Sequence, residues 1–127
     1  MDRKQVMRWV AGYEHAWRTG DLEALATLFT ADAHYRRSPY EESEVGLDAI
    51  RAFWLEDDDE VFTASAEPVA VEGRDAVVRV DVRYGDPVRQ EYRDLWVLRF
   101  ADDGRVEDFE EWPYWPGRDH TAETGDG

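Results

Sequence analysis

The residues of this chain able to do chemistry are carboxylates and arginines set on alternating stretches. Arg79-Val80-Asp81-Val82-Arg83 interleaves charge with valine, Asp94 and Trp96 stand two apart further on, and Glu111 follows in a last alternating segment. Period-two alternation marks a strand with two unlike faces, so Arg79, Asp81 and Arg83 share one face and Val78, Val80 and Val82 the other. Turned into a cleft, carboxyl groups beside a guanidinium have their ionisation states held apart. One takes a proton and the other gives one, which is general acid–base chemistry. Two plainer readings use the same residues. Arg37, Arg79 and Arg83 balance Asp81, Asp94 and Glu111 in a structural network, which shifts pKa values without catalysing anything. Or the charges face water as cross-strand pairs worth under ~1 kcal/mol each.

Other chemistries lack their residues. With no cysteine there is no disulfide, thiolate nucleophile or thiolate metal site. His15, His34 and His120 have no ligand spacing, so no metal is expected. There is no glycine-rich phosphate loop and no nucleophile elbow, and no cofactor is expected.

The elements that must position these groups are readable in order. Asp2 and Gln5 stand as a capping box before Val6, Trp9, Val10, Tyr13 and Trp17, which recur at helical spacing. Gly20 reads as the stop, and Asp21 caps a shorter helix with Leu22, Leu25, Leu28 and Phe29 as its apolar stripe. Ala33 to Arg37 is a short strand, and Gly46-Leu47-Asp48 opens a third helix that buries Leu47, Ile50, Phe53 and Trp54. The acids Glu56 to Glu60 read as its solvated exit. Strands follow at Phe62 to Val71, Ala76 to Tyr84, Glu91 to Phe100 and Val106 to Trp112. Pro68 marks an edge or bulge, and Asp102-Asp103-Gly104 a tight hairpin turn. Trp112 to Gly117 is expected to break the sheet and fold over one end. The whole is an α+β domain over residues 1–117, with a flexible tail at 118–127.

Composition narrows the partners. A chain of 127 residues, 43% apolar, with six Trp, six Tyr and five Phe, supports one real core. Its formal charge of -15 repels phosphate backbones, so neither nucleic acid nor an anionic membrane is an expected partner. No apolar run approaches the ~20 residues that span a bilayer, and Met1 to Gln5 leads into no signal-peptide core. A cytoplasmic location is expected.

Trp17-Arg18-Thr19-Gly20-Asp21-Leu22, Leu28-Phe29-Thr30-Ala31-Asp32-Ala33, Gly46-Leu47-Asp48-Ala49-Ile50 and the terminal hairpin together resemble the nuclear transport factor 2-like superfamily, also called SnoaL-like. The resemblance covers roughly residues 5–115. It implies three N-terminal helices packed in the mouth of a curved, mainly antiparallel sheet, leaving a cone-shaped pocket. Ketosteroid isomerases of this fold use a first-helix tyrosine seven residues before the Gly-Asp turn, where Tyr13 stands. Their two aspartates fall at Arg37 and at about Trp96. Limonene epoxide hydrolases resemble the chain more closely: Arg79-x-Asp81 matches their middle strand, Glu111 their last-strand carboxylate and Tyr35 their first-strand tyrosine. Arg37 replaces the following asparagine. This resemblance implies Glu111 as base, Asp81 as acid, Arg79 between them and Tyr35 at the water.

It also favours the orientation that turns Arg79 and Asp81 inward. Tyr13, Trp17, Arg37, Trp54, Arg83, Tyr92, Asp94, Trp96 and Phe109 are then expected around the ligand, with Arg37 paired to Glu111. Val78, Val80 and Val82 are left outside with Leu95 and Val97, an apolar patch expected to seat a second copy as a homodimer. The reading that results is a pocket for a small organic molecule, with a cofactor-free hydrolase, isomerase or cyclase as its enzymatic form. A non-catalytic binding domain or a dimeric interaction module is the alternative.

Overall fold

Asp2 opens the first helix as its spacing predicts. Its side chain accepts from the Gln5 amide at 2.8 Å, and the Gln5 side chain accepts from the Asp2 amide at 2.9 Å. In this computed structural model, which describes residues 1–54, 62–85 and 87–116, helix α1 runs Arg3–Thr19 and buries Val6, Trp9, Val10, Tyr13 and Ala16. Gly20 ends it in the left-handed region, at φ 70°, where a side chain would be strained. The Asp21 side chain caps a 3-10 turn, Leu22–Ala24, that runs on into α2, Leu25–Leu28. Phe29 does not continue that helix; it begins strand β1, Phe29–Arg36, four residues before the expected start. Strand β2, Glu44–Val45, is two exposed residues with no apolar pattern to announce it. Helix α3 is Leu47–Trp54, and β3 (Phe62–Glu72), β4 (Asp75–Tyr84), β5 (Gln90–Phe100) and β6 (Val106–Tyr114) complete the chain.

The six strands form one curved, open sheet in the order β2-β1-β6-β5-β4-β3, parallel only between β1 and β6. This is the α+β cone expected from the sequence. Pro68 lies at a register shift on the edge strand β3, as a residue without an N–H should. Two arginines of α1 tie the helix to the same strand: Arg3 donates to the Pro68 carbonyl at 3.0 Å and Arg18 to the Phe62 carbonyl at 2.8 Å. The core lies between α1 and the inner face of the sheet, where Trp9 meets Phe29 and Phe100 edge to face.

Strand β4 faces the opposite way from expectation. Val78, Val80 and Val82 are 0–2% exposed, while Arg79 and Arg83 point to solvent. The register decides it: Val78 stands opposite Trp96, Val80 opposite Asp94 and Val82 opposite Tyr92, so the valines share a face with Trp96 and Glu111. Burying each valine yields roughly 1.5–3 kcal/mol, whereas burying guanidinium groups in their place costs several kcal/mol per ion. The valine row expected to seat a second copy is therefore core. Leu95 and Val97 do lie on the outer face, among Arg79, Asp81 and Arg93.

Strand β6 also runs further than expected. It continues through Trp112 and Pro113 to Tyr114 instead of breaking, with Pro113 opposite Asp94. Its pairing with β1 ends at Arg36 opposite Glu110, so from there it has β5 alone as neighbour, and a proline is tolerated. The acidic run at 56–60 and the tail at 118–127 fall outside the described residues.

Candidate functional site

Three strand positions bring the ionisable groups of the inner face together. The β5–β6 hairpin turns at Gly104, φ 89°, and sets Trp96 opposite Glu111 and Asp94 opposite Pro113. Side chains of Asp94, Trp96 and Glu111 thus share one face, with the two carboxyl groups diagonal across the strands. They open on a cavity of about 1460 Å³ between α1, α3, β1 and the inner sheet face. Tyr13 and Trp17 line it from α1, Tyr35 from β1, Trp54 from α3, Phe62 from β3, and Tyr84 and Tyr92 from β4 and β5.

The two carboxyl groups perturb each other. Burial pushes the Glu111 carboxyl well above its ordinary 4.5, and the neighbouring Asp94, by hydrogen bond and by charge, pushes it further. Arg37 and the Trp96 N–H act in the other direction without prevailing. Burial likewise raises Asp94 above its ordinary 3.8, against hydrogen bonding from Glu111 and Trp96 that lowers it. The pair titrates jointly, and it keeps a proton at pH values where ordinary carboxylates have lost theirs. Asp94 is 4% exposed, and neither its Oδ1 nor the Trp96 Nε1 has a hydrogen bond of good geometry within the protein. The indole N–H stands close to both carboxyl groups and is aligned on neither.

A second polar pair lies nearby. The Tyr13 and Tyr35 hydroxyls are 2.8 Å apart and buried. Both rings stack on one residue, Phe109, at 5.5 and 4.7 Å between centroids. Tyr13 also meets Trp96 edge to face at 4.8 Å, which couples helix α1 to the carboxyl pair.

Of the residues expected at the site, Tyr13, Trp17, Tyr35, Arg37, Trp54, Tyr92, Asp94, Trp96 and Glu111 line the cavity. Phe109 does not: it is fully buried behind the wall. Arg79, Asp81 and Arg83 are corrected outright, because they occupy the outer face. Arg79 pairs there with Glu67 at 2.9 Å, and Asp81 reaches the site only as a charge across the sheet that raises Asp94. Arg37 does not pair with Glu111. Its Nε is 4.0 Å from Glu41, and its guanidinium lies 4.0 Å over the Phe53 ring. Burial and the neighbouring Asp94 raise Glu111, and the charge of Arg37 is too weak there to hold it ionised as expected. Among the described residues no three His, Cys, Asp or Glu side chains converge as a metal site would require, and no helix is long and apolar enough to cross a membrane.

Sequence reasoning placed Asp94 and Glu111 separately and missed that they adjoin diagonally on one face. The hairpin alone does not give it: counting back from a turn at Asp102–Gly104 puts Trp96 across from Glu110, and the register shift between Arg99 and Phe100 brings Glu111 there instead.

The profile of the SnoaL-like domain family matches residues 10–109. Among solved structures, the epoxide hydrolase/cyclase-like enzyme SalBIII, active in pyran ring formation in the polyether salinomycin, superposes with a TM-score of 0.73 at 16% identity, covering 91% of this chain and 94% of that one. A ketosteroid isomerase-like protein from Erwinia carotovora atroseptica gives 0.64 at 19% identity, covering 90% and 97%. RV0760c from Mycobacterium tuberculosis, in complex with estradiol-17beta-hemisuccinate, gives 0.68 at 13% identity over 85% and 92%. These likenesses show the fold. Among curated proteins none matches the chain.

Proposed function

Because the chain belongs to the SnoaL-like domain family, we propose that it is a small-molecule pocket protein whose Asp94–Glu111 pair works as a cofactor-free acid–base catalyst. The pair itself carries this reading: two neighbouring carboxyl groups on the cavity wall, Asp94 buried and Glu111 half-buried, each raised in proton affinity. Such a pair holds one member ionised and one neutral over a wide range of pH. On a carbonyl compound the ionised member takes a proton from the carbon next to the carbonyl while the neutral member delivers its own to the oxygen. The enol so formed either regains a proton at another carbon, which is isomerisation, or attacks a second carbonyl and closes a ring. Neither path gains or loses an atom. A positioned acid or base contributes typically ~10²–10⁴-fold.

The solved structures similar to the chain include an epoxide hydrolase/cyclase-like enzyme and an isomerase-like protein, and one is complexed with a small organic ligand. The hydrolase arrangement, with Arg79 between Asp81 and Glu111, is not formed, so isomerisation or ring closure is preferred to hydrolysis. The walls, aromatic rings interspersed with polar groups, suit a substrate with a ring body and one or two oxygens. A panel of cyclic ketones, enones, diketones and epoxides tests this, first by quenching of tryptophan fluorescence and then by product analysis. Asp94→Asn and Glu111→Gln should keep binding and lose turnover by roughly the factor above. Turnover that survives both changes would leave the pair structural and the protein a binding domain.

A further inference from the structure

Arg37 is held at the cavity wall with most of its donors uncommitted. Its guanidinium carbon lies 4.0 Å over the centre of the Phe53 ring, its ion pair to Glu41 is long at 4.0 Å, and its side chain is 54% exposed. Arg18, which lines the same cavity, differs: its two terminal nitrogens are spent on the Phe62 carbonyl at 2.8 Å and on Glu14 at 2.6 Å. Stacking on a ring fixes the plane of a guanidinium while leaving its edge free, and that edge fits a planar acceptor with two oxygens. Arg37 is also near enough to Glu111 for its charge to favour the ionised carboxylate, so cation and carboxyl pair act within one field.

The wider charge distribution makes this position selective. With a formal charge of -15 the chain repels anions over most of its surface, and a cation held against an aromatic ring is a place where an anion gains. The wall beside it is aromatic, from Phe53, Trp54 and Tyr35.

We propose that the cavity takes an organic anion, a small carboxylic acid with an aromatic or alicyclic body. Arg37 grips its carboxylate at the mouth through two parallel hydrogen bonds, displacing the long contact to Glu41, and its body lies between the aromatic walls with its far end toward Asp94 and Glu111. This rests on the reading of the cavity as a small-molecule site and narrows the ligand to one charge class.

Two probes of equal shape and different charge test it: 1-naphthylacetate and 1-naphthylacetamide, titrated by calorimetry into the wild-type protein, Arg37→Gln and Arg37→Lys. The wild type should bind the acid about tenfold more tightly than the amide, the equivalent of ~1.4 kcal/mol. Arg37→Gln should bring the acid down to the amide's affinity and leave the amide unmoved. Arg37→Lys should restore part of the preference, since an ammonium is a point charge without the fork. Equal affinities in the wild type overturn the proposal, as does a preference that survives Arg37→Gln, or failure of the acid to bind. Glu111→Gln should keep the preference for the acid. Turnover is not read in these titrations, so the anion subsite and the acid–base pair stand or fall separately.

Discussion

One sheet carries charged groups on both faces, and the faces treat them differently. On the outer face Arg79 and Glu67 meet at 2.9 Å with 57% and 64% of their side chains exposed. On the inner face Asp94, 4% exposed, meets not a cation but a second carboxyl group, Glu111. Water makes the outer pairing weak, worth under ~1 kcal/mol, because both charges are already well solvated. Its removal makes the inner pairing expensive, and a retained proton takes the role that solvent plays outside. Residue type alone therefore says little about a charged strand. Which face it occupies determines whether it is solvated surface or reactive centre.

The most severe way to break this comparison is to charge the buried row. Val78 is fully buried opposite Trp96, and Val78→Asp should cost more than ~4 kcal/mol, enough to abolish cooperative unfolding seen by circular dichroism. A stable variant would mean that β4 faces the other way and that the two faces are wrongly assigned.

A middle-sized effect sharpens the inner half. Glu111 binds its proton more tightly in the folded than in the unfolded chain, so above its ordinary 4.5 the native state holds more protons. The pair's contribution to stability is full below 4.5 and is lost as pH rises through the folded value. Asp94 moves in the same direction from 3.8. Urea denaturation should show the wild type losing stability between mildly acidic and mildly alkaline pH, by ~1.4 kcal/mol for every tenfold by which folding tightens the hold on the proton. Glu111→Gln should flatten that slope and be the more stable protein at neutral pH. A slope unchanged by the substitution would place the titration elsewhere.

The smallest effect belongs outside. Arg79→Met removes one exposed ion pair and should change stability by no more than ~0.5 kcal/mol in the same denaturation assay. A loss of several kcal/mol would return Arg79 to the interior.

Elements governed by neighbouring residues were legible in the sequence. The Asp2–Gln5 box, the Gly20 stop, the Asp21 cap, the Pro68 irregularity and the Gly104 turn each follow from local backbone chemistry, and each stands where that chemistry puts it. Features decided by distant partners were not. Alternation in β4 defines two faces without saying which is wet, and the Arg79-x-Asp81 motif resolved that ambiguity the wrong way. The partner strand resolves it physically, since Trp96 and Asp94 oppose Val78 and Val80. Phe29 fits an apolar helix stripe as well as a strand start, and only its pairing with Val106 distinguishes the two. The aromatic lining was largely legible, because the chain places ring after ring on inward faces; the juxtaposition of Asp94 and Glu111 needed the register.

The two strand prolines have a consequence for the life of this protein in a crowded solution. An open sheet presents rows of unpaired backbone groups, and such rows invite strands of other chains to dock and grow into fibrils. Here the edge strand β3 carries Pro68 at its bulge, and the stretch of β6 that leaves β1 behind carries Pro113. A proline has no N–H to donate to an added strand, so each shortens the run of donors on its stretch. The same break that leaves β6 unaccompanied at the cavity wall thus offers an added strand a poorer set of donors than an unbroken strand would.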